Sequence, residues 1–449
     1  MRSKTEAWVP PQPRLQLQTK GWARLKGLLS WLNWLTPLSY RLPVARQRVL
    51  GKTMVLLGDA KETRRVMLDE AETHPKHPLT LWLLRPLIGR GVFSVNGEEW
   101  RQQRQWVDQA LQQASIRRVH PQMQAATSDA IAQLNTGEVD LEEVMTAFTA
   151  DVIVRTILSI PVGQNDAAGI FRSFSRYQQR TVPALVLNLF GLPQGLFVPY
   201  LRHHARPIRQ WLAGHIQRRL SGEEPKQADL LQALIDTNAF NPQQLVDQVC
   251  VLFLAGHETS ASVLSMAGYL LSQDQARQER VRDEVMALTQ SPATPEELRR
   301  LSFTQAVWKE TLRLYPPLPF LPRQNQEEEV LAGARCPIRS IVTVSPWVLQ
   351  RHRNLWPRAD SFQPERFLEP ESAVLEQQAF LPFGLGPRRC PGSGFAQQEG
   401  LLLLSELMRH FELLPSTRPA PELQGRLTLR STHGVHVCLK RRERPRALR

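Results

Sequence analysis

The chain has 449 residues, 42% of them hydrophobic and 22% charged, which is enough apolar content for a large core and excludes a disordered or low-complexity polymer. Its four cysteines, Cys250, Cys336, Cys390 and Cys438, form no CxxC pair; that excludes a disulfide scaffold or an ordinary zinc ribbon and fits a reducing compartment. A net charge of +14 favours acidic partners, but the basic residues are scattered without interleaved aromatics, so no nucleic-acid partner is expected.

In chain order, residues 1–20 read as an irregular lead-in. Residues 22–35 are apolar and tryptophan-rich, yet Arg24, Lys26 and Asn33 interrupt them, whereas a spanning helix needs ~20 nearly uncharged residues. No small-residue cleavage site marks a signal peptide. An amphipathic helix packed on the domain is expected, with membrane contact at most peripheral. A strand pair over 49–57 ends at Gly58 and Asp59, and 60–69 reads as a helix with Asp59 as N-cap. Helical periodicity then dominates, over Gly97–Gln113, 121–135, 142–159, 166–180, 200–220, 228–236, Pro242–Gln273 and 275–288. Strand-like runs are few and late, at 341–346 and 426–439. The prediction is one mainly α domain with small β-sheets over 21–440, followed by a basic tail at 441–449.

Two segments carry chemistry. Pro242–Gln273 predicts a helix of 32 residues, ~48 Å at 1.5 Å per residue, apolar nearly all round and therefore central and buried. Its middle, Ala255-Gly256-His257-Glu258-Thr259-Ser260, places a glycine and a polar run where both are costly. That interruption marks a candidate site. The second segment is the Gly- and Pro-rich stretch from Phe383 to Gly392, after which the apolar pattern becomes helical. Cys390 therefore precedes a helix N-terminus, where the dipole and free amides favour a thiolate.

Phe383, Gly386, Arg388, Cys390 and Gly392 spell FxxGxRxCxG, and on this motif the chain resembles the cytochromes P450. Three further motifs appear in the family's order: Ala255–Ser260 in the long helix, Glu310 with Arg313 as ExxR, and Pro364-Glu365-Arg366-Phe367 as PERF. Trp100 and Arg104 fit the family's propionate-covering helix. The resemblance covers about residues 40–440.

The resemblance implies the P450 fold, a single large α+β domain with the long helix over haem b, and Cys390 as the iron ligand. A thiolate ligand favours O–O cleavage. Trp100, Arg104, Arg323 and Arg388 would bind the haem propionates. Phe383 and Gly392 would shape the ligand loop, and Ala255 and Gly256 would leave room for oxygen. Thr259 and Glu258 would form the acid–alcohol pair that supplies protons. Glu310, Arg313 and Arg366 would form a structural triad. His257 and His352 are expected to pack, and the other three cysteines to be small hydrophobes.

By the same resemblance, residues 78–95, 181–200, 253–259 and 317–321 line the substrate pocket; their apolar composition predicts a lipophilic substrate held by shape. No flavin- or nicotinamide-binding domain follows Cys390, so a separate electron donor is expected. A basic proximal face at Arg101, Arg117, Arg118, Arg388 and Arg389 would suit an acidic ferredoxin or flavodoxin. The expected activity is dioxygen-dependent hydroxylation or epoxidation in the cytoplasm of a bacterium. Alternatives are a peroxide-using or isomerase/dehydratase-type member, against which Glu258 and Thr259 argue, and a non-catalytic haem sensor.

Overall fold

The computed structural model describes residues 8–13, 30–49, 51–161, 167–189, 192–425 and 427–443. It is mostly helical, with four small sheets. Pro242–Gln273 is one unbroken helix started by a capping box between Asn241 and Gln244, with Pro242 in the first turn. It meets the membrane-span test of length and hydropathy, but 72% of that window is buried inside the protein, as expected of a core helix.

The polar run does not break this helix, contrary to expectation. A Cβ at Gly256 would collide with Cδ1 of Ile153 on the Leu141–Leu158 helix. Glycine there lets two buried helices cross closely, which offsets its ~1 kcal/mol propensity cost. Thr149 from the same neighbour donates to the His257 carbonyl at 2.8 Å.

The largest sheet orders Val44–Val49, Lys52–Leu57, Ile341–Val344 and Leu321–Gln324. The first two form an antiparallel hairpin, and the second pairs parallel with Ile341–Val344. A second sheet joins Gly137–Asp140, His436–Arg441 and Phe411–Pro415. Gly137–Asp140 is a strand that periodicity did not reveal, since four residues with a glycine and two acids carry no alternation.

Other expectations shift at their boundaries. The helix expected to stop at 180 continues as Ala167–Leu189 through Pro183, because burial of Tyr177 and Ala184 outweighs the proline's missing donor. The one expected from 121 begins at Ile116, with Pro121 inside it. The stretch 60–69 is α-helical only to Arg64 and then widens into a π turn over Arg65–Asp69. Of the expected amphipathic segment, residues 22–29 lie outside the described residues; Trp31–Trp34 is a short 3-10 turn with Leu32 buried. Arg426 and tail residues 444–449 also lie outside them, and Arg441 ends a strand.

Candidate haem site

The loop bearing Cys390 is built by glycines with left-handed backbones, φ +74° at Gly384 and +71° at Gly386. A Cβ at Gly386 would collide with the Met67 carbonyl in the π turn, so the loop docks backbone to backbone. The Cys390 amide donates to the Phe383 carbonyl at 2.8 Å, closing the loop. Gly392 is the N-cap residue of the Ser393–His410 helix. Cys390 is solvent-accessible, yet protein encloses it on most sides. Burial therefore raises its thiol pKa, although the Gly392 amide and Arg104 pull it down.

Beside this loop stands a group of cations. Arg388 lies 4.0 Å over the Trp100 ring and donates to the Val95 carbonyl at 3.0 Å. Burial, then Arg323 and Arg104, push Arg388 down to about 10, and burial pushes Arg323 down to about 10. Arg104 is paired with Asp108 at 2.8 Å and braces the loop through the carbonyls of Arg389 and Pro387. Sequence reasoning missed Lys76. It bridges to Arg323 in an isolated β pair and lies 3.6 Å over the Phe93 ring; burial, then the three arginines, hold its pKa well below normal. Its signal was faint, a lysine between prolines in PKHP.

On the central helix, accessibility returns in the middle of a buried element. Ala255 is exposed and Gly256 and Thr259 partly so, while His257, Glu258 and Ser260 are buried. Ala255 and Thr259, four apart, share this face, and the Thr259 hydroxyl donates to the Ala255 carbonyl at 2.7 Å. Gly256 directs its small size toward Ile153, so its evident role is helix packing. His257 packs edge-on against Phe174 with its Nδ1 2.8 Å from the Phe253 carbonyl.

Glu258 and Thr259 are neighbours in sequence but do not face each other. The Glu258 carboxylate accepts from Thr428 at 3.1 Å and pairs with Arg430 at 3.3 Å. Arg430 also pairs with Glu142 at 3.2 Å. The acid of the expected pair is therefore tied into an ion network on the far side of the helix.

Glu310 and Arg313 are completely buried and paired at 2.6 Å. Arg313 further donates to the carbonyls of Gln350, Ala359 and Ser361, and Glu310 accepts from the Gln363 amide and from Arg366 at 3.3 Å. Every polar atom of this network has a partner. His352 is buried, with Nε2 3.4 Å from the Leu42 carbonyl. Asp247, a second residue that sequence reasoning missed, clamps the loop after Pro78–Ile88. It accepts from the Arg90 amide at 2.8 Å and from Arg209 at 2.6 Å.

The family model for cytochrome P450 matches residues 36–439. The chain belongs to the cytochrome P450 family. It is similar to cyclooctatin synthase of Streptomyces melanosporofaciens, 29% identical over 365 residues, or 77% of this chain and 78% of that one. It is 35% identical to cytochrome P450 4d2 of Drosophila melanogaster over 217 residues, 47% of this chain and 43% of the relative. Protein LUTEIN DEFICIENT 5, chloroplastic, of Arabidopsis thaliana is 26% identical over 428 residues, covering 88% and 71%.

As a P450, the chain is a monooxygenase that uses haem, dioxygen and electrons from a redox partner. The residues present fit that cofactor. Among the described residues no carboxylate pairs with Arg323, Arg388 or Lys76, so this desolvated cation group demands an external dianion, which two propionates supply. An accessible thiol that accepts from the Gly392 amide, and the small-residue face of the central helix, are residues that would hold the group and leave room beside it.

Proposed function

We propose that this P450 oxidises a lipophilic small molecule in the cytoplasm, with electrons from an acidic ferredoxin or flavodoxin. Haem, when bound, supplies oxygen activation; the protein supplies everything else. Cys390 would ligate the iron, with the Gly392 amide tuning the sulfur. Trp100, Arg104, Arg323, Arg388 and Lys76 would hold the propionates. Ala255 keeps the distal face open, and Thr259 offers it a hydroxyl that donates and accepts. Glu258 would act on protons through the Thr428–Arg430 network. The haem domain is taken as residues 21–440, with Phe383 and Gly386 shaping the ligand loop.

The observation that carries the substrate class is the predominantly apolar lining of the pocket segments. The partly buried apolar side chains of the pocket segments include Val92, Phe93, Phe197, Val198 and Phe320, while the polar Thr181 and Asn188 donate to the backbone carbonyls of Gln178 and Leu192. Recognition then rests on shape and burial. Titrating a lipophilic library while reading the ferric spin state tests this; a preference for polar, charged compounds would contradict it.

For the donor, Arg101 is paired with Glu72 and Glu98, and Arg117 with Glu296 at 3.1 Å. Arg118 and Arg389 are exposed with no acidic partner among the described residues; a cleft of about 980 Å³ opens at Arg388, lined also by Trp100, Arg101, Arg104, Gln105 and Gln109. Steering by an acidic donor would act through Arg118 and Arg389 first. Exposed Leu187, Leu192, Leu196 and Tyr200 would make any membrane contact peripheral.

A further inference from the structure

The π turn Arg65–Asp69 belongs to a strap, residues 65–77, that meets the candidate haem site at both ends. At one end the Met67 carbonyl lies against Gly386 of the Cys390 loop, with no room for a Cβ between them. Val66 and Met67 share a small core with Leu331 and Cys336, and Leu385 of the same loop packs against it. At the other end the Pro75 and Thr73 carbonyls accept from the Gln324 and Gln326 amides at 3.0 and 3.1 Å. That register sets Lys76 opposite Arg323, and Lys76 Nζ donates to the Phe93 carbonyl at 2.9 Å.

A five-residue helix followed by a five-residue π turn is too short to hold its shape alone. Side chains hold it. Arg65 donates to Glu62 at 2.8 Å, to the Val330 carbonyl at 3.0 Å and to Glu329 at 3.4 Å, and it lies 3.6 Å from Glu70. His74 Nε2 is 2.8 Å from the other Glu329 oxygen, and its Nδ1 is 3.0 Å from the Glu70 carbonyl. The Ala332 amide donates to Glu62 at 3.3 Å. From the hairpin of Glu329–Leu331 with Ala334–Cys336, Glu329 thus grips the strap at Arg65 and again at His74. His74 is buried and Glu329 only 14% exposed, so solvent screens this contact far less than the exposed Glu328–Arg335 pair of the same hairpin. Glu70, His74 and Glu329 are close enough together to hold a metal ion, but the Arg65 guanidinium already supplies the positive charge there.

We propose that Glu329 and Arg65 are positioning residues for the haem. One ion clamp, remote from the cofactor, fixes the height of the Cys390 loop through Met67 and the place of Lys76 through residues 70–77. Loosening it would act at both ends in the same direction. A displaced loop weakens the Gly392 amide's bond to the sulfur, and a displaced Lys76 withdraws positive charge. Each change favours ferric over ferrous iron. The proposal rests on the haem-thiolate reading above.

The test compares purified holoprotein with Glu329→Ala, Arg65→Lys and, as a control, Arg335→Ala. Spectroelectrochemistry, haem transfer to apomyoglobin and urea unfolding are the three readouts. Glu329→Ala should lower the reduction midpoint, although the removal of a negative charge by itself raises it. Arg65→Lys keeps the charge but loses the planar fork, and it should lower the midpoint too. Haem transfer should speed up about tenfold in both, the worth of one hydrogen bond to a charged group. Glu329→Gln should recover part of each change, and Arg335→Ala should match wild type. A midpoint that rises or stays put in both clamp variants overturns the proposal even where the urea midpoint falls, since that is the behaviour of a remote structural tie. Changes in Arg335→Ala as large as those in Glu329→Ala overturn it as well. If the wild-type ferrous carbonyl lacks the red-shifted Soret band, the haem-thiolate reading fails and this inference with it; a normal band with an unmoved midpoint sinks the inference alone.

Discussion

Replacing Glu310 by alanine should cost the protein its haem. In the native structure the Glu310 carboxylate takes two bonds from Arg313, at 2.6 and 2.8 Å, one from the Gln363 amide at 2.8 Å and one from Arg366 at 3.3 Å. Both members of the main pair are fully buried. Alanine leaves the Arg313 guanidinium uncompensated, a loss of ~3–5 kcal/mol for a broken buried pair. The orphaned Gln363 amide adds ~1–3 kcal/mol. Together this is about half of a typical 5–15 kcal/mol stability. Because Arg313 also bonds carbonyls at Gln350, Ala359 and Ser361, and Gln350 in turn accepts from the Leu381 amide, the damage reaches the segment that leads into the Cys390 loop. The assay is haem content and urea midpoint of purified variants. Glu310→Gln, which keeps the Gln363 bond, should lose less. A Glu310→Ala protein with full haem and a wild-type midpoint would refute the reasoning.

Four further outcomes are expected. Gly386→Ala should abolish haem incorporation, since a side chain meets the Met67 carbonyl at a left-handed backbone, whereas Gly51→Ala, with open space at φ +79°, should cost only ~1–2 kcal/mol; equal haem contents would show that close approach at 386 is irrelevant. Stability should carry a signature of Glu399. The unfolded chain loses this proton from 4.5 and the native protein only at about 8, so the native state binds more protons between those values. The group's contribution is then fully favourable below 4.5 and declines as pH rises to about 8. Glu399→Gln should therefore gain on wild type by on the order of 3 kcal/mol between pH 4.5 and 7, measured by urea unfolding at both pH values; a pH-independent difference would contradict it. Arg118→Ala with Arg389→Ala should weaken association with an acidic ferredoxin more than Arg101→Ala with Arg117→Ala, because the latter pair is already matched with acids; surface plasmon resonance across a salt series reads this, and equal losses would count against the docking face. Arg430→Met should lower product yield per electron pair by freeing the Glu258 carboxylate from its network, and an unchanged yield would mean Glu258 has no part in proton handling.

The sequence alone was enough to place the cysteine loop ahead of a helix N-terminus, the buried ExxR pair and the long central helix. Each is written in local code: a glycine-bracketed cysteine before an apolar helix, two charges at i and i+3, and 32 residues without a strong breaker. Local code also sufficed for the N-cap at Asp59, where side chain and amide lie three residues apart. What folding decided was direction and partnership. Whether Gly256 faces oxygen or Ile153, and whether Glu258 turns toward Thr259 or toward Arg430, depends on elements more than a hundred residues away. The strand Gly137–Asp140 exists only because His436–Arg441 lies beside it. The cation group beside the Cys390 loop gathers from residues 76 to 388, and no periodicity announces that Lys76 belongs in it. Protonation was equally invisible from the chain. Glu399 looks like any other acid in the chain, and only its burial raises its pKa, since the energy of a charge depends on what surrounds it in space.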